Sequence, residues 1–174
     1  EKEILSVFQP RMIRQSGGNI VPENIILISD LKAYMLRKEE IDKAVRNGAK
    51  VVFLREALTE DAELCGSSVE PDNLKGHSWI LFRNASHPWL RQSGSTDLKY
   101  AFDSSVNAPQ RYTFTTLRAP EFVPVLTFKD QVVVAEKPYG KGQVVLLSLN
   151  LAGRLTTNPV LGNILNSIMK RTNQ

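Results

Sequence analysis

The side chains that could do chemistry are few and scattered. The chain holds one cysteine, Cys65, and two histidines, His77 and His87. Cys65 lies in Leu64-Cys65-Gly66-Ser67, within a polar stretch. A cysteine nucleophile or redox sensor needs a thiolate, supplied by a nearby base or a helix N-terminus. The plainer reading is an unreactive loop or half-buried thiol, and it is preferred here. His87 precedes Pro88 and Trp89. Its imidazole could act as a base or bind a sugar, and Trp79 or Trp89 could stack on a pyranose face. Against that stands a loop anchor, with Pro88 fixing the turn and Trp89 packing on a sheet. His77 opens a strand and reads as a surface residue. Asn84, His87 and Trp89 are therefore the candidate ligand or interface contacts.

Asp30, Glu56, Asp61, Asp97 and Asp103 could supply paired carboxylates for glycoside cleavage. They fall in loops or at helix starts, where caps and solvated charge are the ordinary explanation. A zinc site needs several His or Cys ligands, and Cys65, His77 and His87 are not at finger spacing. No catalytic residue, metal or cofactor is expected. Gly140-Lys141-Gly142 could suggest phosphate, but a phosphate-cradling loop follows a strand and opens a helix. This one joins two apolar runs and reads as a hairpin turn. Asn84-Ala85-Ser86 fits the glycan-acceptor pattern, which has meaning only in a eukaryotic secretory context.

The elements that must position these residues are clearest in the last third. Gln131–Glu136 and Gln143–Leu149 are β-rich runs joined by the turn cluster Lys137–Gly142, a hairpin signal. A helix follows, capped by Asn158 with Pro159 at its first position. Val160, Leu161, Ile164, Leu165, Ile168 and Met169 form its apolar stripe. Lys170 and Arg171 suit its negative C-terminal end. Near the start, Asn24–Ser29 reads as a buried strand and Arg37–Asn47 as a helix. Leu36, Ile41, Ala44 and Val45 give that helix an inner face. Glu39 with Lys43, and Asp42 with Arg46, are acid-before-base pairs four residues apart. Gly48 supplies a left-handed C-terminal cap, and Lys50–Leu54 is the next strand. That spacing predicts a right-handed βαβ unit with parallel strands.

Between these blocks, Glu60–Leu64 reads as a short helix in a polar loop and Asp97–Phe102 as another helix. His77–Phe82, Tyr112–Leu117 and Phe122–Phe128 read as strands, the last at an edge or bulge because of Pro124. Residues 1–22 are weakly patterned and read as a linker or edge segment from a preceding domain. Residues 23–174 form a single α/β domain. The start at Glu1, without an initiator Met, suggests a mature fragment or a domain cut from a longer protein. The expected fold is a three-layer α/β/α sandwich with a mainly parallel central sheet, extended by the C-terminal antiparallel hairpin.

Composition narrows the function classes. Of 174 residues, 42% are hydrophobic and 23% charged, the balance of a soluble globular domain. No apolar run approaches the roughly 20 residues that span a bilayer, and no signal-peptide pattern is present. One cysteine rules out an internal disulfide. The net charge is +4, yet Lys and Arg are interleaved with acids and form no basic run. Neither nucleic acid nor membrane is expected as a partner.

Three segments carry a resemblance: Asn24–Leu54, Asn84–Tyr100 and Tyr139–Ile168. In order they give a strand-helix-Gly-strand opening, a His-Pro after a middle strand, and a Gly-Lys-Gly, apolar strand, Asn-Pro, helix close. Together they resemble a class I glutamine amidotransferase-like (flavodoxin-like) domain. The likeness is to non-catalytic versions appended to bacterial glycoside hydrolases, such as β-galactosidase trimerisation domains and the C-terminal domains of large family-two enzymes of gut bacteria. Active amidotransferases of that fold carry a Cys nucleophile on a sharp elbow, with His and Glu near the end. Here Val51–Leu54 runs into Arg55-Glu56-Ala57, and His77–Phe82 into Arg83-Asn84. After Gln143–Leu149 comes Asn150-Leu151-Ala152-Gly153. The resemblance thus implies an accessory, architectural or assembly domain that catalyses nothing. It implies other domains of the same polypeptide as partners, with a homo-oligomer and carbohydrate left open. It places the parent enzyme in the periplasm or outside the cell. The alternatives are a self-standing hydrolase or amidotransferase with another site, and a carbohydrate-binding module.

Overall fold

A computed structural model describes residues 25–72, 82–84, 86–91, 114–151, 155 and 159–170. The chain opens with β1 (Ile25–Ile28), α1 (Leu31–Leu36), α2 (Lys38–Arg46) and β2 (Lys50–Leu54). A 3-10 turn at Arg55–Ala57 leads to β3 (Ala62–Leu64) and β4 (Ser67–Asp72). Next come β5 (Phe82–Arg83) and a second 3-10 turn, Pro88–Leu90. The chain closes with β6 (Thr116–Arg118), β7 (Val123–Phe128), β8 (Gln131–Tyr139), β9 (Gly142–Leu147) and α3 (Pro159–Met169).

Among the described residues the strands form one nine-stranded sheet in the order β1-β2-β9-β8-β6-β4-β3, with β7 added against β8 and β5 against β7. Among the described residues only β1 with β2 and β2 with β9 are parallel. Every other pairing among the described residues is antiparallel. This overturns the expected mainly parallel, amidotransferase-like sandwich: the sheet is mixed and strand dominates over helix. The expected βαβ unit and closing hairpin exist, but they are the minority of the sheet.

The physical reason lies in the connections. Parallel neighbours need a crossover of about a dozen residues or more. Two residues, Lys129 and Asp130, separate β7 from β8, and Gly140 and Lys141 separate β8 from β9. Such links permit only antiparallel pairing. The stretch expected to hold a helix at Glu60–Leu64 is instead the hairpin β3–β4. Its two-residue turn is Cys65-Gly66, with φ of 47° and 73°. Positive φ at both central residues matches the right-handed twist of a hairpin.

Other boundaries shift more modestly. The helix expected over Arg37–Asn47 is Lys38–Arg46, with α1 as a separate helix before it. Pro124 does fall at a register shift, between Pro124 and Leu126 in β7. The expected strand starts at His77 and Tyr112, the helix at Asp97–Phe102, the cap Asn158, Arg171 and residues 1–22 lie outside the described residues.

Two cores flank the sheet. On one face Ile41, Ala44 and Val45 of α2 pack on Val51, Phe53, Val144, Leu146 and Ala135. On the other, Val160, Leu161, Ile164, Leu165 and Ile168 of α3 pack on Val52, Leu54, Val145, Leu147 and Val133, together with Trp89 and Leu90. Successive strand side chains point to opposite faces. A strand covered on both sides must therefore be apolar throughout, which is why KVVFL and QVVLL carry no polar alternation. No helix among the described residues is long and apolar enough to cross a membrane.

Candidate functional site

Among the described residues, a group of buried polar side chains lies on each face of the sheet, apart from Thr116 and Ser148, which bond backbone carbonyls. The first contains the sequence candidates Asn84, His87 and Trp89. After β5, Asn84 N–H donates to the carbonyl of Val125 at 3.0 Å, and His87 N–H to that of Asn84 at 3.0 Å. Ser86 Oγ donates to Asn84 Oδ1 at 2.8 Å. His87 caps the Pro88–Leu90 turn: its Nδ1 accepts the Trp89 N–H at 3.3 Å. With Nδ1 accepting, the proton of the neutral ring sits on Nε2. That nitrogen donates to Glu136 Oε1 at 2.9 Å.

The group continues into the sheet. Gln143 Nε2 donates to Glu136 Oε2. Gln143 Oε1 is buried with no partner among the described residues. Lys50 stands beside Gln143 in the β2–β9 register. Its Nζ donates to the carbonyls of Ile168 at 2.8 Å and Lys170 at 2.9 Å. Those carbonyls belong to the C-terminal end of α3, which lacks intrahelical partners and carries partial negative charge. Burial lowers the Lys50 pKa, and the nearby Glu136 charge works against that shift.

This arrangement brings His87 and Trp89 together, with ring centroids 4.7 Å apart and edge to face. Both are 7% exposed. A ring so covered has no free face for a pyranose, and an imidazole engaged at both nitrogens has none left for a ligand. Asn84 alone of the three is exposed.

The second group lies on the α2 face. Tyr34 Oη donates to Asp42 Oδ1 at 2.8 Å, Cys65 N–H donates to Tyr34 Oη at 3.0 Å, and Cys65 Sγ donates to Asp42 Oδ1 at 3.3 Å. Cys65 is fully buried. Burial, reinforced by the Asp42 carboxylate, pushes its pKa from 9.0 up to about 12. Burial likewise raises the Tyr34 phenol. A thiol nucleophile requires the opposite shift. Next to this group Lys137 Nζ donates to Ser67 Oγ, which donates to Glu121 Oε2 at 2.8 Å. The ammonium sits 5.4 Å from the Phe122 ring centroid and 5.5 Å from that of Tyr139.

Sequence reasoning missed Asp42. The sequence pairs it with Arg46 four residues on, but it turns inward and is 5% exposed. Arg46 Nε donates instead to Tyr139 Oη at 3.0 Å. The available signal was position: Asp42 sits between Ile41 and the inner residues Ala44 and Val45. Glu136, Gln143 and Lys50 were read only as strand residues.

The remaining candidates separate. Asp30 Oδ1 accepts the N–H groups of Lys32 at 2.8 Å and Ala33 at 3.4 Å, the role of a helix cap. Glu56 and Asp61 are exposed. His77, Trp79, Asp97 and Asp103 lie outside the described residues. After β2, Arg55 Nε donates to Thr115 Oγ1 at 3.2 Å. Gly140-Lys141-Gly142 turns its backbone N–H groups to protein: Lys141 N–H meets the Arg46 carbonyl at 2.9 Å. Among the described residues no group of three or more His, Cys, Asp or Glu is placed to hold a metal ion.

No protein-family model matches the chain, and no curated protein matches it. Among solved structures it is similar to the cytoplasmic protein STM3548 from Salmonella typhimurium. Identity is 11% and the TM-score 0.51, over 88% of this chain and 75% of that one. Likeness at that identity is one of fold alone.

Proposed function

We propose that this chain is a non-catalytic architectural or assembly domain of a larger carbohydrate-active enzyme, in the first instance a bacterial glycoside hydrolase. One observation carries the non-catalytic part. The cysteine that could serve as nucleophile is fully buried, bonded to Asp42 and Tyr34, and shifted away from the thiolate. His87 supports the same reading, because one ring nitrogen caps a turn and the other meets Glu136. The class of parent rests on the three sequence segments alone. As part of such an enzyme the chain works in the periplasm or outside the cell. The structural neighbour is named as cytoplasmic, and fractionation of the full-length gene product decides the compartment.

The test is an assay of the purified chain against glutamine and a panel of aryl-glycosides. The expected result is turnover no faster than buffer. Turnover above buffer that disappears in His87→Gln or Cys65→Ala would overturn the proposal and favour the self-standing enzyme.

A further inference from the structure

We draw no further inference here: the strongest candidate, the exposed apolar knuckle of Met35 and Leu36 where α1 meets α2, carries nothing because nothing in the structure shows what covers it.

Discussion

Cys65 and Lys50 are two of the buried groups whose ionisation the fold resists, and they do so with opposite consequences for stability. The Cys65 thiol loses its proton near 9.0 when unperturbed and at about 12 in the fold. Between those values the folded state holds a proton that the unfolded state has released. Its contribution to stability is therefore complete below about pH 9 and is lost as pH rises toward 12. Lys50 is lowered from 10.5. Just below that value the unfolded state holds more protons than the folded one, so this group makes stability rise with pH there. Urea unfolding of the parent and of Lys50→Met across the alkaline range separates the two. The variant should lack the rising contribution and keep the fall due to Cys65 and Tyr34. It should also cost about 1–3 kcal/mol at neutral pH, because the Ile168 and Lys170 carbonyls lose their donor. An identical slope in both proteins would show that the Lys50 ammonium is solvated. Iodoacetamide gives a second check: labelling of native Cys65 near neutral pH should be slow and should reach the rate of a free thiol only in denaturant.

Between β8 and β9 the turn is shaped by the helix it meets. A Cβ at Gly142 would lie 2.1 Å from the carbonyl oxygens of both Val45 and Ala49, and one at Gly140 would lie 2.6 Å from Arg46 Cα. All of these are backbone atoms at the end of α2 and cannot swing aside. Gly142→Ala should therefore cost about 3 kcal/mol, since the turn must lift from the helix. Gly66, in the β3–β4 turn, offers the contrast. Its φ is +73°, but a Cβ there meets only the Tyr139 ring at 3.8 Å. Gly66→Ala should cost about 1 kcal/mol, the penalty of a left-handed conformation without a clash. Chemical denaturation of both variants checks the order, and equal costs would show that conformation rather than contact decides at both turns. These two turns also show why legibility differed. Gly140-Lys141-Gly142 lies between long apolar runs, so its hairpin was readable. Cys65-Gly66 joins a strand of three residues to one that is half polar, and a cysteine occupies the position where Asn or Asp usually announces such a turn. Asp42 was hidden for a similar reason: a charge on a helix is usually solvated, and only the tertiary approach of the β3–β4 turn makes this one buried.

At the scale of the whole molecule, the β1–β2 parallel pair was legible because a helix separates the two strands, whereas the β2–β9 pair joins strands distant in sequence and was not read. The β8–β9 hairpin was legible from its short turn, while the other antiparallel pairings were lost when the remaining apolar runs were assigned to a mainly parallel sheet. The resulting sheet has a thermodynamic consequence. β2, β8 and β9 each contribute side chains to both cores, β2 in strict alternation: Val51 and Phe53 to one, Val52 and Leu54 to the other. Neither core can melt without exposing the other's strands, so the two faces should unfold in one cooperative step. The chain carries a probe on each face. Trp89 lies in the α3 core and Cys65 in the α2 core. In a Trp79→Phe background, the fluorescence of Trp89 and the accessibility of Cys65 to a thiol reagent should report the same urea midpoint. Leu165→Ala, which opens space in the α3 core only, should lower both midpoints together, with a cost of about 2–5 kcal/mol. Midpoints that separate, or a Leu165→Ala shift seen by Trp89 and not by Cys65, would mean that the faces unfold independently and that the shared strands do not couple them.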